Sequence, residues 1–314
     1  MKNGRLAFTL IELLLVIIIM GIIGAMTLEI VRQYYDGIYR TIEHEKRASE
    51  ANRLLEQLSK YFENAISSSI VNLDENGAND CHIPDIADEA NNYTVAFIAV
   101  DNDSLRGDWN GTRFTPGWNE DVNISDTNIT QTGADYTIAS NITTALNGAG
   151  DLTASAIYNN SKTASNAGGC ADYRLDDITT NINNTKFLTI TNPTASTLEL
   201  SRTLDDDNAK RAYLLRTAYA FRVDDNDENG SFYMYSNFRP WEGTRYNATV
   251  GKLLATNVAH FYADYNASEH AGNTTDRGLV WRLKVCMLGL NDDLNNSDDN
   301  ATNICRERRV RVRY

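Results

Sequence analysis

Only Thr9 and Glu12 interrupt an apolar run that extends from Phe8 to Met26. These nineteen residues, rising 1.5 Å each, cover about 28 Å, close to the hydrocarbon thickness of a bilayer. Their dozen Leu, Ile, Val and Phe side chains favour insertion by about 5 kcal/mol. One carboxylate opposes it by about 2.5–3.5 kcal/mol at mid-membrane and by less near an end. Beyond Met26, Val31, Tyr35, Ile38 and Ile42, then Ala51, Leu55, Leu58, Phe62 and Ala65, recur at three- and four-residue spacing with no proline among them. That period predicts a helix continuing to about Ser69, with Arg32, Asp36, Arg40, Glu43, Lys46, Arg47 and Glu50 on a solvated face. The whole rod would hold about 60 residues and reach about 90 Å.

The period then changes to two. Tyr93–Val100 reads as a strand, whereas 101–185, rich in Asn, Thr, Asp and Gly, shows no sustained pattern and reads as a loop-rich insertion with short strands. Strand signals return at Lys186–Thr191, Thr197–Ser201, Ala212–Val223, Ser231–Asn237, Val258–Tyr265, Leu279–Leu288 and Val310–Tyr314. The expected fold class is α+β, a long N-terminal helix packed on an antiparallel sheet.

Lys2 and Arg5 precede the apolar run, which keeps the N-terminus cytoplasmic and exports the rest. An ordinary secretory signal has a shorter apolar region and a small-x-small site after it. Here the candidate site at Gly24-Ala25 has Ile23 three residues before the cut. A plain anchor leaves Glu12 unexplained, because an intramembrane carboxylate is costly and marks a function. A cut between Ala7 and Phe8 would give Phe8 a free α-amine, with Glu12 one helical turn away. A neighbouring copy shifted along the axis could then set its amine against the Glu12 carboxylate and fix an axial register.

Residues 5–14, RLAFTLIELL, resemble the cleavage and methylation motif of type IV pilins and type II secretion pseudopilins. The resemblance implies that a prepilin peptidase removes residues 1–7 and methylates Phe8, and that Glu12 supports assembly. It departs from the family pattern at Ala7, where glycine is usual. It also implies a pilin-like fold with residues 8–28 as transmembrane helix and 29–71 as its amphipathic continuation. The insertion would be 72–185 and the antiparallel β domain 186–314. Length and the final strands are similar to the larger minor components, the J-type pseudopilin or the W-type minor pilin. Expected partners are other pilin-like subunits, the peptidase and an inner-membrane assembly platform. The expected location is a single pass of a bacterial inner membrane with a periplasmic domain, then a filament. A second reading makes the chain a tip-located adhesin or DNA-capturing pilin that uses 101–185 or the basic tail.

Composition narrows the rest. Across 314 residues, 42 Asp and Glu face 29 Lys and Arg, a formal charge of −13. That argues against nucleic acid as a general partner. Four cysteines, Cys81, Cys170, Cys286 and Cys305, in an exported domain point to two disulfides out of three connectivities. Cys286 with Cys305 is favoured because 291–303 is polar and turn-rich between strand-like runs; free buried thiols are the plain alternative. Asp225, Asp227 and Asn229, with Gly230 sixth, spell the first half of a calcium loop, but Ser236 stands where a bidentate Glu belongs. A hairpin turn explains the same residues. No other cofactor is expected, and no catalytic motif points to an enzyme.

Two further patterns remain. Asp-x-Asn-x-Ser/Thr recurs at Asn110, Asn123, Asn128, Asn229, Asn266, Asn295 and Asn300, where chance would give roughly one. It resembles the extended acceptor site of bacterial N-oligosaccharyltransferases, though Asp and Asn also crowd turns together. The tail from Arg306 to Tyr314 alternates basic and apolar residues. It reads as an edge strand with one solvated face, or as a strip for an acidic partner.

Overall fold

The computed structural model describes residues 10–73, 81–82, 94–109, 111–125, 127–147, 151–159, 187–201, 211–224, 227, 229–242, 244, 250–264, 280–289 and 303–312. Helix α1, Leu10–Phe62, is 53 residues of continuous α-helix, a rod of about 80 Å. It ends seven residues before the expected Ser69. Asn64 and Ala65 already make tightened bonds to the carbonyls of Tyr61 and Phe62. From there the backbone is handed to a strand: Ile66 donates to the Ile98 carbonyl and Val100 to that of Asn64. Ser69 completes the exit, its hydroxyl donating to Ile66 O and accepting from Ile98 N. Serine side chains compete for backbone groups in this way, which periodicity alone does not reveal.

The elements after α1 are β1 (Val71–Leu73), β2 (Cys81–His82), β3 (Thr94–Val100), α2 (Asn102–Arg106), β4 (Asp108–Trp109), β5 (Phe114–Thr115), β6 (Asn123–Ser125), β7 (Asn128–Thr130) and α3 (Tyr136–Asn147). They continue as β8 (Ala156–Asn159), β9 (Phe187–Pro193), β10 (Thr197–Leu200), β11 (Ala212–Asp224), β12 (Ser231–Phe238), β13 (Lys252–Ala255), β14 (Val258–Asp264), β15 (Val280–Met287) and β16 (Ile304–Arg311). Eleven of these strands form one sheet in the order β2-β1-β3-β11-β8-β9-β10-β7-β6, with β12 and β13 branching from β11. A separate sheet runs β14-β15-β16. All pairings are antiparallel, so the α+β class holds.

The sheet is not a simple meander. Strand β11 is thirteen residues long and changes neighbour along its length, with β8 at 212–215, β3 at 215–221 and β12 at 218–224. Strands from both sides of residue 185 therefore share one sheet, and β3 is central to it. All seven residues of β3 are buried. Val95, Phe97 and Ala99 enter the core around α1, while Ala96, Ile98 and Val100 enter a second core on the opposite face. Burial on both faces is why TVAFIAV is an uninterrupted apolar run. Helix α3 lies inside the segment that reads as a loop-rich insertion. Its buried stripe of Tyr136, Ala139 and Thr143 is thin and mixed, and Thr, Asn and Ser are poor helix formers.

The three-stranded sheet packs into the same core, against the same buried face of α1. Trp281, Leu283, Val285 and Met287 from β15, Phe261 and Ala263 from β14, and Val310 from β16 pack with Ala51, Leu55, Leu58 and Phe62. Strand β16 begins at Ile304, six residues before the expected Val310, because its polar stretch pairs fully with β15. Cys286 stands opposite Cys305, and Lys284 opposite Glu307. A strand whose outer face is charged hides from a search for apolar alternation.

Among the described residues two carboxylates, Asp101 and Asp264, are buried. Asp101 caps α2, its Oδ1 accepting from Ser104 N at 3.3 Å and its Oδ2 from Ser104 Oγ at 2.7 Å. Arg216 Nε lies 3.6 Å from Asp101 Oδ1, and Arg216 Nη2 lies 3.2 Å from Asp103 Oδ2. Burial is the largest influence and raises the Asp101 pKa above its ordinary 3.8, outweighing the guanidinium. A carboxyl with a raised folded pKa holds its proton better folded than unfolded, so stability falls as pH climbs from 3.8 through the folded value. Asp101→Asn keeps a capping side chain and removes that component. Urea midpoints at about pH 4 and about pH 7 should show the variant gaining on wild type as pH rises. A difference independent of pH would contradict the assignment.

Candidate functional site: the uncovered half of α1

Domain contacts begin near Arg47, whose guanidinium donates to the Leu288 carbonyl. From there to Phe62 one side of the helix is covered, with Ala48, Ala51, Leu54, Leu55, Leu58, Ser59 and Phe62 all buried. From Leu10 to Ile42 the described helix is exposed throughout. That stretch includes Leu13 to Ile19, Ile22, Ile23 and Met26, all large apolar side chains. The segment is long and apolar enough to cross a membrane. Nothing lies within 4 Å of where a Cβ would stand on Gly21 or Gly24, so a neighbouring helix can approach the backbone closely there.

The uncovered part exceeds what a bilayer needs. Leu10 to Ile42 is about 50 Å of helix, against a hydrocarbon core of about 30 Å. Past the apolar run come Tyr34, Tyr35 and Tyr39, each exposed. Amphipathic rings of this kind settle at a membrane boundary or in a protein interface. The stripe of Val31, Tyr35, Ile38 and Ile42 is also exposed. Each of its members precedes a buried one, Ala51, Leu55, Leu58 or Phe62, by twenty positions. Twenty residues are about five and a half turns. The two stripes therefore lie on opposite sides of the rod: the domain covers one, and nothing in the described chain covers the other. Spacing alone made them look like one stripe; burial divides them.

Glu12 is the third described residue of α1. Ala7 and Phe8, the expected cleavage point, lie outside the described residues. Arg32 Nε and Asp36 Oδ2, both exposed, are 4.0 Å apart, and such a pair stabilises by a few tenths of a kcal/mol at most.

Cys286 and Cys305 form a disulfide between directly paired residues of β15 and β16, with Cα atoms 4.0 Å apart. Cys170 lies outside the described residues, and only the backbone of Cys81, in β2, is described. Asp225 is also outside them. At the β11–β12 turn, Asp227 Oδ1 accepts from Asn229 N at 3.0 Å and Asn229 Nδ2 at 3.2 Å, and its Oδ2 accepts from Ser231 Oγ. These bonds, the Ser231 hydroxyl first, lower the Asp227 pKa. Gly230 holds φ at +58°, and a Cβ there would sit 2.2 Å from Val258 O. Both Asp227 oxygens thus serve the turn. Among the described residues no group of three or more His, Cys, Asp or Glu is arranged to hold a metal.

The basic tail forms the edge strand of the small sheet. Arg309 and Arg311 share its outer face with Arg282 and Lys284. Arg282 contacts Asp264 through a forked ion pair and approaches Glu307 at 3.6 Å. No known protein family matches the chain, and no curated protein or solved structure matches it either.

Proposed function

We propose that the chain is a minor pseudopilin- or pilin-like subunit, anchored by α1 and carried into a filament of similar subunits. One observation carries the reading: an apolar helix surface that extends past a bilayer's thickness and faces away from the chain's own domain. A plain anchor needs only the first part of it. A packing helix needs both parts, the first to wait in the membrane and the second to lie against sister helices. The RLAFTLIELL motif supports the same reading, since Glu12 follows Phe8 by one turn. In this reading a prepilin peptidase frees the Phe8 amine, an inner-membrane platform feeds the subunit into the filament, and the β domain lies outside the cytoplasm.

The test is the mass of the mature N-terminal peptide from native membranes. The expected peptide starts at Phe8 and carries one methyl group. A peptide still carrying Met1, or one starting after Ala25, would end the reading.

A further inference from the structure

The recurrent Asp-x-Asn-x-Ser/Thr pattern is not used by a packing helix, and the fold separates its copies sharply. Two of them form one hairpin. Strands β6 and β7 pair Asn123 with Thr130, Ile124 with Ile129 and Ser125 with Asn128. Alternation puts both asparagines and both hydroxyl residues on one face. Ile129, fully buried, and Ile124 fasten the other face to the core beneath. Asn123, Ser125, Asn128 and Thr130 are all exposed, as is Asp121.

A third described copy is closed, while Asn110, Asn266, Asn295 and Asn300 lie outside the described residues. At the β11–β12 turn, the Ser231 hydroxyl of the Asn229 sequon is bound to Asp227 and the residue is buried. Two sequons that lack the acidic residue, at Asn102 and Asn141, lie in helices with Ser104 and Thr143 at 0% exposure. Among the described residues, the β6–β7 hairpin alone leaves acid, amide and hydroxyl residue of one copy exposed together, at Asp121, Asn123 and Ser125. In the second copy Asn128 and Thr130 are exposed, with Thr130 Oγ1 donating to the Asn123 carbonyl at 3.5 Å.

We propose that Asn123 and Asn128 are acceptors of N-linked oligosaccharide, an inference that rests on export of the β domain. The donor class is an oligosaccharide carried on a polyprenyl diphosphate. Asn Nδ2 attacks the anomeric carbon, an N–C bond forms, the C–O bond to the diphosphate breaks, and Nδ2 loses one proton to a base of the transferase. The site has a physical use. Strand β6 ends the large sheet, and its sequence Asn-Ile-Ser contains no Lys or Pro to discourage another chain from pairing with it. A glycan on each of these asparagines would shield that edge.

The experiment is peptide mass spectrometry, without reduction, on full-length protein from native membranes. Peptides containing Asn123 and Asn128 should carry a hexose-type or N-acetylhexosamine-type mass, and those containing Asn102, Asn141 and Asn229 should be bare. Asn123→Gln and Asn128→Gln should each remove one glycan. Asp121→Ala should lower occupancy at Asn123 at least about tenfold and leave Asn128 occupied. The Cys286–Cys305 bond in the same sample reports compartment. Bare Asn123 and Asn128 beside an intact disulfide overturn the proposal and leave export standing. Bare asparagines beside reduced cysteines overturn both. Glycan that persists unchanged in the Gln variants also overturns it.

Discussion

Glu12→Leu should enter the membrane at least as well as wild type and then fail to join filaments. The substitution removes a carboxylate that costs about 2.5–3.5 kcal/mol at mid-membrane, less near an end, so insertion does not suffer. Assembly does. In the proposed filament, the acid meets the Phe8 amine of a neighbour in a low-dielectric setting. Removing one partner of such a pair costs about 3–5 kcal/mol, because the remaining charge is left without compensation. At about 1.4 kcal/mol per tenfold, incorporation should drop by about two to three and a half orders of magnitude. The comparison is between membrane and sheared-filament fractions, with both variants at equal membrane abundance. Equal recovery of Glu12→Leu and wild type in filaments would contradict the role given to Glu12. Glu12→Gln, which keeps shape and loses charge, should fail nearly as badly.

Phe62→Ala should cost the β domain about 3–5 kcal/mol. Phe62 is fully buried at the end of α1. Its ring lies 4.6 Å from Phe97, 6.1 Å from Phe221 and 6.4 Å from Phe261, centre to centre. These three belong to β3, β11 and β14, so one side chain joins the helix to both sheets. Aromatic pairs add about 0.5–1.5 kcal/mol each beyond area. A domain's whole margin is about 5–15 kcal/mol, so the loss consumes much of it. Urea unfolding of detergent-solubilised protein, followed by tryptophan fluorescence, to which the buried Trp118, Trp241 and Trp281 contribute, reads the shift. A change under about 1 kcal/mol would show that the helix is not fastened to the sheets there. The variant should still insert, since its apolar run is unchanged, and this separates loss of fold from loss of anchoring.

Much of this architecture was legible in residue order where one physical signal dominated. The membrane-length apolar segment of α1 declared itself because it is an almost unbroken apolar run. Strand β3 was readable because both faces are buried, β14 and β15 because alternation survives along part of them, and β11 and β12 as aliphatic- and aromatic-rich runs bounded by turn residues. Cys286 with Cys305 followed from the polar loop between two strands. Elements fixed by tertiary contacts were hidden. The end of α1 depends on Ser69 and on backbone bonds to β3. Helix α3 is held by Trp118, whose ring centre lies 5.9 Å from that of Tyr136, and not by propensity. Strand β16 has an arginine-rich first half that only its pairing explains. Nor did sequence show that β8, inside the segment read as an insertion, pairs with both β11 and β9. Removing 101–185 would therefore cut the large sheet.

The candidate site divides the same way. Phe8 and Glu12 enter the proposal through the RLAFTLIELL resemblance and their spacing of one helical turn, and Phe8 lies outside the described residues. The direction of the second apolar stripe is not readable from spacing. It needs the knowledge of which face the domain occupies, and only burial of Ala51, Leu55, Leu58 and Phe62 supplies that.

Cross-linking on that stripe tests the central claim most directly. Single cysteines replacing Tyr35, Ile38 or Ile42 should be joined between copies, or to a sister subunit, by a short thiol-reactive linker in native filaments. A cysteine replacing Arg40, about half a turn around the rod from Ile38, should be joined far less. Equal joining at all four positions, or none at any, would contradict a helix that turns its uncovered apolar side to its neighbours.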